Sequence, residues 1–153
     1  MIRPLYALAA VTGVAALALV YGLSSNAGTG PATIRITSRE VSRVRVDLGP
    51  PGRGIGDNEI VRMNLFNKRI RLRPIGSAEF VCTFVTRRTR NCNATFTLPR
   101  GRLVTGGSLR FTELYELAVL GGTRLYDNAR GTMTAIRTTR RPRRDILLFR
   151  LTG

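Results

Sequence analysis

The sequence from residue 32 onward predicts an all-β fold of seven to nine short antiparallel strands, preceded by an N-terminal signal or anchor helix. Apolar and polar residues alternate with period two, and no segment after the leader has helical period. Turn residues recur about every 8–12 positions, which is typical of a sandwich or a closed barrel. Because closure leaves no exposed strand edge, we expect a barrel with a modest internal cavity.

Residues 1–27 have the pattern of an export signal. A run of nineteen uncharged residues follows Arg3 and the adjoining proline, and Ser25 and Ala27 form the small-x-small site that a signal peptidase recognises. The run also approaches the length of about twenty residues that a membrane-spanning helix needs, so a retained anchor is the alternative. In either case we expect residues 28–153 to form one domain that is secreted or held in the cell envelope.

The strands follow one another along this domain. In the first strand, Ile34 and Ile36 and later Val44 and Val46 alternate with polar residues. The segment 49–58 holds too many glycines and prolines for any regular element. Further strands are predicted at residues 59–66, 78–85, 92–98, 101–111, 113–120, 130–138 and 145–151.

A hairpin can be placed around the two cysteines. Cys82 lies in phase with two phenylalanines on one strand, and Cys92 lies in phase with Ala94 and Phe96 on the next. If the tip is centred on Arg87, the cysteines fall opposite one another at a separation that allows a disulfide. The export signal makes this bond chemically permitted, and two buried free thiols are the alternative.

The charge balance is strongly basic. The chain carries 25 lysine and arginine residues against 9 acidic ones, a net charge of +16, and Lys68 is its sole lysine. A coding bias towards arginine explains this charge as well as a binding partner does. If there is a partner, we expect an anionic cell-surface polymer that is bound non-specifically, and no specific nucleic acid. The clusters at residues 87–90 and 140–144 are expected at hairpin tips in solvent.

Several kinds of chemistry are excluded by the residues themselves. The chain has no histidine, so it has no Ser-His-Asp or Cys-His site, and no metal site is predicted. The glycine-rich segment 52–56 precedes a strand, whereas a phosphate-binding loop needs a following helix. We expect no cofactor, which leaves carboxylates, arginines and tyrosines as the groups available for acid–base or steering chemistry.

Glu116 and Tyr115 present a choice between two faces of one strand. Glu116 lies in phase with Ala118, and Tyr115 lies in phase with Leu117 and Val119, so both faces are largely apolar. If Glu116 faces the interior, it is a candidate acid or base. If it faces outward, Tyr115 is the interior residue.

The segment 118–135, AVLGGTRLYDNARGTMTA, resembles the glycine-rich signature of dirigent proteins and allene oxide cyclase barrels, particularly their short secreted bacterial relatives. Residues 55–67 resemble the family's glycine–aspartate strand opening. The cysteine hairpin resembles that of the bacterial members, and residues 145–153 resemble the closing strand. The resemblance therefore covers residues 55–153.

The resemblance implies an eight-stranded antiparallel barrel, commonly trimeric, that binds a small hydrophobic or aromatic molecule. Such a barrel would direct the cyclisation or stereoselective coupling of that molecule without a cofactor. A non-catalytic ligand-binding or cell-envelope protein of the same fold is the alternative. By position, Glu116, Arg130 and Asp57 match family residues and are the candidate catalytic residues. Tyr115 and Tyr126 are candidate ligand contacts.

The same resemblance assigns roles to the glycine-rich segment. Gly121 and Gly122 would form a bulge that bends the chain around the barrel wall, and Tyr126 would pack as the aromatic. Arg124, also a candidate ligand contact, stands where the family usually has glycine. This departure predicts altered backbone geometry or a charged barrel rim.

Overall fold

The computed structural model describes residues 31–67, 73–110, 114–138 and 144–152, and these form a closed antiparallel barrel. Its strands are β1 (Ala32–Val46), β2 (Asn58–Asn67), β3 (Gly76–Phe84), β4 (Thr89–Leu98), β5 (Gly101–Arg110), β6 (Leu114–Gly122), β7 (Arg130–Arg137) and β8 (Arg144–Thr152). Each strand pairs with the next, and β8 pairs with β1. The predicted all-β barrel is therefore confirmed.

The predicted leader, residues 1–27, lies outside the described residues, so the signal or anchor stays a prediction. Among the residues that are described, no helix has the length and hydropathy needed to cross a bilayer.

A bulge in β1 reverses which side chains face the barrel interior. The pairing of β1 with β2 shifts register between Glu40 and Ser42, so Val41 is an extra residue. Because side chains alternate along a strand, one added residue moves every later side chain to the opposite face.

The consequence is visible in the two ends of β1. Ile36 is buried before the bulge, whereas Val44 and Val46 beyond it are 55% and 41% exposed. Arg43 and Arg45 take the interior positions instead, opposite the buried residues of β2. The regular alternation of the sequence thus predicts the strand but not the direction of its second half.

The barrel interior is packed with apolar side chains over most of its length. The rings of Phe80 and Phe149 both meet Phe96 edge-on, with centroids 5.5 and 5.0 Å apart respectively. Beneath Tyr115, a cavity of about 10 Å³ is lined by core residues including Met63. That volume is about what one water molecule needs, so this cavity cannot hold an organic ligand. The modest internal cavity that the sequence predicts is therefore too small for a ligand at this position.

The cysteine hairpin is confirmed in detail. Cys82 pairs directly with Cys92 across β3 and β4, the register centres the tip on Arg87, and the two sulfurs form a disulfide. Both cysteines are buried in the barrel core.

The bulge predicted at the glycine pair lies one residue earlier in β6, at Leu120. The pairing with β5 shifts register there, because Val104 opposes Gly121 while Thr105 opposes Val119. The two glycines differ in their surroundings. A Cβ on Gly122 would collide with the carbonyl oxygens of Arg102 and Tyr126, while a Cβ on Gly121 would meet only the end of one arginine side chain.

Apolar side chains form a row on the outer wall of the barrel. Val44, Ile60 and Val81 are cross-strand partners on β1, β2 and β3, and both valines are largely exposed. Contiguous apolar surface of this kind is common at protein interfaces. The trimer nevertheless stays a prediction.

Replacing both cysteines by alanine should lower the free energy of unfolding by about 2–3 kcal/mol, because the disulfide no longer restricts a short loop in the unfolded chain. Urea denaturation of the wild type with and without reductant, beside the double variant, measures this. Equal stability of the reduced and oxidised wild type would contradict the prediction.

Gly122→Ala should destabilise the barrel by about 1–3 kcal/mol, because the added methyl group meets two backbone carbonyls that cannot move independently of the sheet. Gly121→Ala is the matched control, since its methyl group meets a flexible side chain. Thermal denaturation of the two variants should separate them clearly. Equal losses would show that the pair is required for curvature alone.

Candidate functional site

The described structure has a cavity of about 610 Å³ at one end of the barrel, which we call the mouth. It lies where the second half of β1 meets the beginnings of β2 and β8 and the end of β7. Its lining residues are Arg39, Glu40, Val41, Ser42, Arg43, Arg45, Arg53, Glu59, Arg137 and Asp145. The mouth is therefore mainly polar and rich in arginine.

Glu59 is the centre of the charged cluster in the mouth. Its side chain is 1% exposed, and its carboxylate contacts the guanidinium groups of Arg90 and Arg43, the latter at 2.7 Å. Arg45 lies further away, at 3.9 Å from the same carboxylate. A buried carboxylate is tolerated only when such charged partners offset its lost hydration. The cluster therefore joins β1, β2 and β4 at this end of the barrel.

The arginines of this cluster are held in different ways. Arg43 also donates two hydrogen bonds to Glu40, at 2.9 and 2.6 Å, and these raise its pKa. Arg90 lies deeper, where burial lowers its pKa and the charge of Glu59 opposes that effect. Both guanidinium groups remain charged at neutral pH.

A second ion pair lies across the mouth. The Arg137 Nε approaches the Asp145 carboxylate at 3.4 Å. Burial raises the pKa of Asp145, while the charge of Arg137 acts in the opposite direction. Ser38 donates a hydrogen bond of 3.4 Å to the backbone carbonyl of Asp145. This side of the mouth is thus built by β1, β7 and β8.

Tyr115 lies close to the mouth without lining it. It lines the small cavity in the barrel together with Arg43 and Arg137, which also line the mouth. Burial raises the pKa of Tyr115 to about 12, so its hydroxyl keeps its proton at neutral pH. The part of the chain that the structure describes offers this hydroxyl no hydrogen-bond partner. A neutral donor therefore lies next to the arginines of the mouth.

Asp57 supports the mouth from the loop between β1 and β2. Its carboxylate accepts hydrogen bonds from the backbone N–H groups of Leu48 and Gly54, at 3.0 and 2.8 Å. These bonds lower its pKa, so it is ionised at neutral pH. Both of its oxygens are engaged in fixing the loop that carries Arg53 to the mouth, and its position favours a supporting role.

Glu116 faces away from the barrel interior. It is exposed on the outer wall, where it accepts a hydrogen bond of 2.8 Å from Thr134. Tyr115 is the interior residue of the two, which settles the choice that the strand pattern left open. Arg130 is also exposed, and its guanidinium donates to the carbonyl of Ala129 at 3.0 Å.

Arg124 and Tyr126 lie at the opposite end of the barrel, in a short 3-10 helix (Arg124–Tyr126) after β6. Arg124 has φ +57°, so it adopts the left-handed conformation that glycine takes readily. It lines a separate surface cavity of about 300 Å³ with Arg102. Tyr126 packs against Gly101 and Gly122. Three of the six proposed site residues, these two and Arg130, are therefore far from the mouth.

The sequence reading missed the residues that build the mouth. Glu59 is in phase with Val61 and Met63, and Arg90 is in phase with Cys92, so the strand alternation is the signal that could have found both. Arg90 was instead expected at a solvated tip, and this is wrong, because it is 6% exposed. In the described residues, no three acidic or cysteine side chains come together in a group that could hold a metal ion.

The sequence matches no protein-family model, and it matches no curated protein. Several solved structures have a similar fold. A pyocyanin demethylase is 21% identical with a TM-score of 0.68, over 79% of this chain and 100% of that chain. A pterocarpan synthase dirigent protein is 17% identical with a TM-score of 0.60, over 80% of this chain and 86% of that one.

The Diels Alderase AbmU from Streptomyces koyangensis is 20% identical with a TM-score of 0.62, over 78% of this chain. The aligned region spans 64% of that enzyme, which is less than two thirds of its length. Dirigent proteins and cyclase barrels are thus among the structures that this chain resembles. The dirigent-like barrel that the sequence motifs indicate is confirmed at the level of the fold.

Proposed function

We propose that this protein is an exported barrel that binds a small, conjugated organic molecule in its mouth and directs the cyclisation or stereoselective coupling of that molecule. The observation that carries the proposal is the mouth itself, an open cavity of about 610 Å³ with a buried ion-pair cluster in its wall. Small-molecule sites commonly have volumes of about 300–1,000 Å³. The fold similarity to dirigent proteins and cyclase barrels supports the type of reaction.

The mouth, and not the lumen, is the ligand site in this proposal. The packed apolar core leaves a cavity of about 10 Å³ beneath Tyr115, whereas the mouth is open to solvent and bounded by side chains that hydrogen-bond. A ligand would lie above the core with one face towards Tyr115. The core then acts as a rigid base for the site.

The residues of the mouth can supply orientation and charge stabilisation. The neutral hydroxyl of Tyr115 and the guanidinium of Arg137 can both donate to an oxygen on which negative charge develops, such as an enolate or phenolate. Holding a flexible molecule in one reactive conformer can itself lower a barrier by several kcal/mol, roughly 7–11 in the most favourable cases. Such a site needs few groups that transfer protons.

Export is part of the proposal. The leader supports it, and so does the buried disulfide, a bond that forms and persists in oxidising compartments.

A binding protein without turnover is the second candidate. Exposed arginines on the outer wall, such as Arg35, Arg62 and Arg150, favour contact with anionic polymers of the cell envelope. Ligand binding in the mouth combined with an unchanged product distribution would support this candidate over the first.

Tyr115→Phe should abolish stereochemical control, because it removes the neutral donor that lies next to the arginines of the mouth. The measurement is chiral chromatography of the dimers that form when a 4-hydroxycinnamyl alcohol is treated with a one-electron oxidant and the protein. We expect the wild type to give an enantiomeric excess. Tyr126→Phe, which removes a hydroxyl at the opposite end of the barrel, should retain it.

Racemic dimers with the wild type, despite binding of the alcohol, would contradict a coupling activity and favour the binding protein. Equal loss in both tyrosine variants would contradict the placement of the site in the mouth. Circular dichroism of each variant checks that the barrel is intact.

Arg90→Met should lower the free energy of unfolding by about 3–5 kcal/mol, because it leaves the buried Glu59 carboxylate without its deepest partner. The double variant Arg90→Met/Glu59→Gln should recover much of this loss, since it also removes the uncompensated charge. Denaturant unfolding of the two single variants and the double variant completes the cycle. Additive losses would show that the ion pair does not couple the strands.

A further inference from the structure

In the second half of β1, apolar side chains face solvent and charged side chains face the interior, which is the reverse of the usual barrel wall. The bulge at Val41 turns Val44 and Val46 towards solvent and brings Arg43 and Arg45 to the interior side. Without the extra residue, the valines would face inward and the arginines outward. Local conflicts with hydrophobic patterning are expected mainly at functional sites. The bulge therefore indicates that arginines are needed in the mouth.

The charges of the mouth do not balance. Its lining contains five arginines and three carboxylates, an excess of two positive charges. The carboxylates also have close partners already, since Arg43 contacts both Glu40 and Glu59, and Arg137 contacts Asp145. The excess lies in a concave surface, where it attracts anions more strongly than on an open one.

Arg45 is the arginine best placed to serve a ligand. Its distance of 3.9 Å from Glu59 is beyond hydrogen-bond range, and its guanidinium lies over the ring of Phe84, 5.7 Å from the ring centroid. To the described residues it donates no side-chain hydrogen bond. The stacking on Phe84 orients the planar group, so less conformational freedom is lost when it binds an oxyanion.

We infer that the mouth selects small organic acids, with the carboxylate or an equivalent oxyanion held by Arg45 and supported by Arg137. This inference rests on the proposed function, because it specifies the substrate class of the same site. The conjugated part of the molecule then lies over Tyr115. An arginine fork binds an oxyanion through two parallel hydrogen bonds, which fixes the orientation of the molecule as well as its position.

Two fluorescent probes with the same ring system test the inference. The probe 8-anilinonaphthalene-1-sulfonate carries an oxyanion, and N-phenyl-1-naphthylamine lacks it. We expect the sulfonate to bind more tightly to the wild-type protein. Arg45→Gln should weaken binding of the sulfonate by about tenfold, because a charged hydrogen bond is lost. The same substitution should leave the affinity for the uncharged probe unchanged.

Arg102→Gln is the matched control, because it makes the same charge change at the opposite end of the barrel. It should alter neither affinity. Arg45→Lys keeps the charge without the planar fork, so it should restore part of the sulfonate affinity. Thermal denaturation of each variant checks that the barrel is folded.

The outcomes separate this inference from the proposed function. If both arginine variants weaken the sulfonate equally, overall charge explains the binding and the inference is overturned. If the two probes bind alike and Arg45→Gln changes neither, acid selection is again overturned. In that second case Val41→Trp, which narrows the mouth without changing its charge, still decides whether the probes bind there, as the proposed function requires.

Discussion

The contact between Glu59 and its arginines is the interaction on which the open end of the barrel depends. A carboxylate this deeply buried must be compensated by charged partners. Those partners come from β1, which pairs with β2, and from β4, which lies beyond β3. The cluster fixes the relative positions of three strands at the end of the barrel where the apolar core stops. It also places guanidinium groups at the boundary between the core and solvent.

This arrangement divides the barrel into two functional halves. Aromatic packing around Phe96 fills one half, while the other half opens into the arginine-rich mouth, with Tyr115 close to it. The glycine-rich segment after β6 belongs to the packed half. Its glycines serve close backbone approach, as the surroundings of Gly122 show. The sequence signature is therefore a structural feature of the barrel, and it lies at the end opposite the proposed site.

Much of the fold follows from local sequence pattern. Strand alternation predicts the all-β class, and the phase of Cys82 and Cys92 predicts their direct pairing across a tip at Arg87, because hairpin register depends on nearby residues. The bulge at Val41 has no such local signal. It is seen only when β1 is paired with β2, a partner that lies across the long loop 47–57. The faces of Arg43 and Arg45 could not be predicted for this reason.

The candidate site shows a second limit of the same kind. Glu59, Arg90 and Asp145 each lie in phase with core residues of their strands, a local signal that could have predicted their direction. The strand alternation does not show that these three residues lie at the same end of a closed barrel, because their position depends on the strand order. Motif resemblance drew attention to Glu116 and Arg130, which face outward.

Proteins with one fold can carry unrelated activities, so the fold alone does not determine what this barrel does. The decisive features are those in which this chain departs from a simply patterned barrel. The second half of β1 turns two arginines inward and two valines outward, which reduces apolar burial. The buried Glu59 carboxylate explains the inward position of Arg43, but it does not explain that of Arg45, which lies 3.9 Å away. A site that binds charged oxygens does explain it, because Arg45 keeps its donors unused by Glu59 while Arg43 and Arg90 neutralise that carboxylate. The mouth therefore keeps a net positive charge, and the buried carboxylate of Glu59 is still compensated.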